Sequence, residues 1–145
     1  MSDPLEHVRE RRAGLRAAIG QVESSLASPA PGRVAAWSEE VREQLELLSA
    51  GLDHHVVATE GPEGLLADIV EAAPRLAHRA DIARRDHVRL RGQLDDVIAL
   101  LRSPEIDVDR VRDDVVEVLT GLVRHRQAGA DLIYEAYNVD IEGGD

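Results

Sequence analysis

Three histidines occupy positions where a packed helix would place an apolar side chain. Leu76, Ala80, Ala83, His87, Leu90, Leu94, Val97 and Leu101 recur at alternating steps of three and four, the seam of a helix buried along its length. His55 holds the equivalent place in the series Val34, Trp37, Val41, Leu45, Leu48, Leu52, His55, Thr59. His125 does so in Val108, Val111, Val115, Val118, Leu122, His125, Gly129, Leu132, Ala136. A fourth series, Leu5, Val8, Arg12, Leu15, Ile19, Val22, Leu26, has Arg12 as its one position that is not apolar. Neutral imidazoles are nitrogen donors for transition metals, so three at one depth make a candidate metal layer. The same residues could instead form a hydrogen-bonded polar layer that sets helix register.

The elements that must position these side chains follow from the same periodicity. Helices are expected over residues 4–27, 33–60, 75–102 and from Asp107 as N-cap to about 138, with a short connecting helix over 65–73. Breaks fall at Ser28-Pro29-Ala30-Pro31-Gly32, Gly61-Pro62-Glu63-Gly64, Pro74 and Ser103-Pro104-Glu105, where proline withholds an amide donor and glycine relaxes the backbone. Short connections between long helices favour antiparallel neighbours, giving an all-α, up-down-up-down four-helix bundle with one short extra helix. At a rise of ~1.5 Å per residue, Arg12, His55, His87 and His125 then fall within about 10 Å of one level. The domain is expected to span residues 1–140, with a flexible acidic tail over 141–145.

Composition narrows the function classes. The 145 residues suit one domain with a real core, and a net charge of -11 opposes a nucleic-acid or anionic-membrane surface. No cysteine is present, which removes disulfides, thiolate metal sites and cysteine catalysis. The first residues lack the apolar run of a signal peptide, so a cytoplasmic protein is expected. One tryptophan, two tyrosines and no phenylalanine leave little aromatic surface for stacking a flavin, a haem or bases. No phosphate loop or Ser/His/Asp order stands out, and no catalytic residues are assigned. His54 and His78 lie off the seam and are expected on the surface, as are the pairs Asp95-Asp96 and Asp113-Asp114. His7 also lies off the seam, beside the better-fitting Val8.

The chain carries a weak internal repeat. The stretch 11–19 aligns with 86–94, placing Arg12 opposite His87, and Leu52-Asp53-His54-His55 aligns with Leu122-Val123-Arg124-His125. An acid and histidine followed by x-x-Leu-Arg-x-x-Leu, with Leu-x-x-His on the next long helix, resembles the hemerythrin-like (HHE cation-binding) family of four-helix bundles, from about Leu5 to Tyr137.

The resemblance implies a non-haem di-iron centre in the bundle core, concerned with oxygen or redox chemistry. The family's histidines correspond here to His55, His87 and His125. Its remaining ligands are replaced: Arg12 stands for a histidine, Ala83 for a second histidine, Thr59 for a carboxylate, and Gly129 or Ala130 for another. Glu60 and Asp131 lie one residue beyond, about 100° off the seam on an ideal helix. Two iron ions beside a buried guanidinium would be repelled in a low-dielectric core. The expectation is therefore one non-haem iron or other divalent metal on His55, His87 and His125, with Glu60, Asp131 or water completing the shell. Such a site would sense or handle oxygen, iron or peroxide. The alternative is a metal-free interaction or regulatory module, working through an outer helical face as a homodimer or with a protein partner.

Overall fold

The computed structural model describes residues 4–61 and 64–138. Every regular element among them is helical: α1 (Pro4–Ala27), α2 (Val34–Glu60), α3 (Leu65–Ala72), a 3-10 turn (Pro74–Leu76), α4 (Ala77–Leu101) and α5 (Val108–Tyr137). Four long helices thus build a bundle and α3 bridges its second and third. The acidic tail expected over 141–145 lies outside the described residues, as does the Pro62-Glu63 pair of the α2–α3 turn.

The breaks have local causes. Between α1 and α2 the backbone turns at Gly32 with φ +76°, a left-handed conformation that suits a residue without Cβ. At Gly64 a Cβ would lie 2.6 Å from the Thr59 carbonyl oxygen, so only glycine lets α3 start this close to the end of α2. Asp107 caps α5 by accepting a hydrogen bond from the Arg110 amide at 3.2 Å. At the other end of α5, Asn138 takes the left-handed conformation and its amide donates to the Tyr134 carbonyl. One boundary differs from expectation. The helix placed at 75–102 opens with a 3-10 turn, because Pro74 brings no amide and the Leu76 amide reaches back three residues to Ala73.

The core divides into two apolar clusters. One gathers Leu15, Ile19, Trp37, Leu45, Leu52, Leu90, Leu94, Val115 and Leu122; the other gathers Val8, Leu66, Ile69, Leu76, Ala80, Ala83, Leu132 and Ile133. On α1, α4 and α5 the residues separating the clusters in chain order are Arg12, His87 and His125, all buried. The polar side chains therefore interrupt the core at one level.

Polar clamps hold the helices in register around that band. Arg91 on α4 donates to Ser49 and Asp53 on α2, and Arg102 pairs with Glu46 at 2.9 Å. At the far end Trp37 is fully buried, donates to the Leu26 carbonyl, and lies under the Arg112 guanidinium at 5.4 Å. No helix among the described residues is long and apolar enough to cross a membrane.

Candidate metal centre

Each histidine of the layer comes from a different long helix: His55 from α2, His87 from α4 and His125 from α5. The heptad step that buries their neighbours also buries them, leaving His87 2% and His125 4% exposed and His55 half-buried. One nitrogen from each lies within 4.8 Å of the others. His125 is the hub. Its Nε2 is 2.9 Å from His87 Nε2 and 3.2 Å from His55 Nε2.

The outward-facing nitrogens meet carboxylates. Asp86 Oδ2 lies 3.3 Å from His125 Nδ1, so Nδ1 carries the proton, donates it to Asp86, and leaves Nε2 as a lone pair. Glu60 Oε2 stands 3.5 Å from His87 Nδ1, close enough for its charge to act but long for a hydrogen bond. That nitrogen is buried without a hydrogen-bond partner among the described residues.

These contacts cannot all be satisfied by imidazoles alone. A single in-plane lone pair on His125 Nε2 can accept from His87 or from His55, but not well from both. If His87 donates through Nε2, its bare Nδ1 faces the Glu60 carboxylate. If His87 keeps its proton on Nδ1, two lone pairs oppose each other at 2.9 Å. A cation among the three Nε2 atoms would remove both conflicts, and so would a proton on each nitrogen of His87. Tetrahedral coordination with bonds of about 2.0–2.1 Å needs donor separations of about 3.3 Å. The two separations to His125, 2.9 and 3.2 Å, are close to that, while the three nitrogens as a set spread up to 4.8 Å, so the rings would have to close in on an ion. Asp86 stands where an outer carboxylate would orient a metal-ligating histidine, whereas Glu60 acts on His87 through its charge alone.

Electrostatics favour the neutral rings that ligation requires. Burial pushes His55 down to about 3, helped by repulsion from His87 and His125 in their protonated forms and by the charge of Arg12. His87 is lowered by burial against the opposing pull of Glu60 and Asp86. Burial and His87 lower His125, again against Asp86. All three rings are free bases at neutral pH.

Arg12 completes the layer from α1. It is 9% exposed and its Nη2 donates to the Arg126 carbonyl at 2.7 Å. A Cβ on Gly129 would sit 3.3 Å from Arg12 Nη1, so the guanidinium packs where a longer residue at 129 would project. A cavity of about 40 Å³ adjoins the layer, lined by Arg12, the three histidines and Thr59 together with Val8, Leu66, Ile69, Leu132 and Ile133.

The remaining sequence candidates sort clearly. Glu60 faces His87 through the ring's outer nitrogen, on the side away from the shared point. Asp131 is exposed and its Oδ1 accepts from Gln127 Nε2 at 3.0 Å; its one-residue offset from the seam turns it outward. Thr59 donates back to the His55 carbonyl at 2.9 Å. His54 and His78 are exposed, and His7 lies near Glu10 on the surface. Spacing alone gives Asp86 no role. The one available signal was an acid next to a seam histidine, which on a helix reaches the neighbouring helix rather than its own core face. Comparison of the chain with protein-family models, curated proteins and solved structures returns no match.

Proposed function

We propose that this chain is a hemerythrin-like, antiparallel up-down-up-down bundle whose two-metal site is reduced to one. A single divalent transition metal, iron among the candidates, is held by the Nε2 atoms of His55, His87 and His125. The convergence of three Nε2 atoms with carboxylates behind two of the rings carries this reading. Three protein donors is the count found in catalytic zinc sites, which keep a further position for water or substrate, whereas structural sites use four. When bound, the metal supplies a Lewis-acid or redox centre to a small ligand such as oxygen or peroxide.

The protein's own share of that chemistry is positioning and exclusion. Asp86 holds the His125 ring, Glu60 biases His87, and the apolar wall of Val8, Leu66, Ile69, Leu132 and Ile133 limits access. Arg12 occupies the α1 side of the layer as a fixed positive charge, which supports one ion rather than two.

Metal analysis of protein made without a polyhistidine tag, after reconstitution with iron, manganese and zinc in turn, tests the proposal. One metal per chain, lost in His87→Ala, is the expected outcome. No metal under any of these conditions would leave a metal-free interaction module, and two irons per chain would restore the di-iron centre.

A further inference from the structure

We propose that α5, where it borders the groove beside α1, is the contact surface for a second copy of this chain, the two copies related by a two-fold axis near Leu119 and Thr120. The packing leaves this seam open. α1 packs chiefly on α2 and meets α5 only sparsely. Arg12 donates to the Arg126 carbonyl toward one end and Arg112 to the Ser28 carbonyl toward the other. Between those ends lies a groove of about 490 Å³, lined by Glu23 from α1 and by Val116, Leu119, Thr120, Val123 and Arg124 from α5. Leu119 is buried there, while Val116 and Val123 are 53% and 50% exposed, apolar surface with no cover from its own chain.

The pattern along α5 names the occupant. Val116 and Val123 are seven residues apart, as are Glu117 and Arg124, so each pair repeats on one side of the helix after two turns. Both pairs are centred between Leu119 and Gly121. A copy of α5 turned end for end about that centre sets Val116 of each chain on Val123 of the other, and Glu117 of each on Arg124 of the other. Apolar meets apolar and opposite charges meet twice, the self-complementarity that an isologous interface requires. Glu23, Glu117 and Arg124 are exposed and make no ion pair among the described residues, so these charges can act across the axis.

Size and net charge allow the pairing. The 24 residues of α1 run roughly 36 Å, and two helices side by side are roughly 20 Å wide, which approaches the roughly 800 Å² per partner of a standard interface. The net charge of -11 repels a second copy at long range. Screening confines that repulsion to about 8 Å at physiological salt, where the touching side chains decide.

Sedimentation equilibrium of the full chain at about 0.15 M salt reads the association. Wild type should show a reversible monomer–dimer equilibrium with a dissociation constant below about 1 mM. Glu117→Arg and Arg124→Glu each bring like charges together twice and should weaken the dimer about tenfold or more. Mixed in equal amounts, the two variants should pair with each other about as tightly as wild type, since one then offers two positive side chains to two negative ones. Val123→Asp, on the apolar part of the same face, should also weaken the dimer, and it serves if either charge variant loses the wild-type circular dichroism. A wild type that stays monomeric up to about 1 mM would overturn the proposal and leave the groove to another protein. A dimer unmoved by these variants, or charge variants that fail to pair on mixing, would overturn it as well.

Discussion

His125 contacts both other rings through one nitrogen and Asp86 through the other. That arrangement makes Asp86 a positioning residue: it holds the tautomer in which Nε2 faces the shared point. Asp86→Asn is therefore expected to weaken metal binding by about 10–100-fold, measured by competition with a chromophoric chelator, while circular dichroism stays unchanged. Asp131→Asn should leave affinity as in wild type, because that carboxylate is exposed and engaged with Gln127. The spacing of the sequence placed the three histidines on one level, since the seam is a property of each helix alone. Which carboxylate backs which ring depends on how α4 and α5 rotate against each other. No single-helix pattern encodes that rotation, so Asp86 could not be assigned from the sequence.

Helix packing fixes that rotation at particular contacts. Gly121 on α5 faces Leu90 of α4 so closely that a Cβ would come within 3.0 Å of Leu90 Cδ2, and Leu90 is fully buried. Gly121→Ala gains up to about 1 kcal/mol of helix propensity but must push back a core side chain, which costs about 1–3 kcal/mol. Gly20→Ala meets nothing within 4 Å and should only gain. In urea unfolding, Gly121→Ala is expected to be the less stable of the two by about 1 kcal/mol or more; equal stabilities would mean that the α4–α5 contact yields freely. The positions of the helices were legible because proline and glycine mark every break and the heptad step runs unbroken between them. The 3-10 turn at Pro74–Leu76 was not, since a proline marks a break without showing whether the next amides reach back three residues or four.

For the whole molecule, the polar layer ties stability to pH. All three layer histidines are lowered by burial, so the fold holds them neutral and protonation favours the unfolded chain. Their contribution is complete above the unfolded histidine value of 6.5 and is lost as pH falls toward about 3, the folded value of His55. Metal-free protein should accordingly show a thermal midpoint that declines across that window. A His55→Gln variant, which removes the most strongly lowered group, should decline less steeply; identical slopes would show that the layer does not govern the pH response.

X-ray absorption at the metal edge of loaded protein tests the central claim most directly, because it counts imidazole donors and detects a second ion. One metal with three imidazole nitrogens at about 2.0–2.1 Å and no metal neighbour is the predicted result. A second metal at about 3.5–4 Å, or a shell with fewer than three imidazoles, would contradict it.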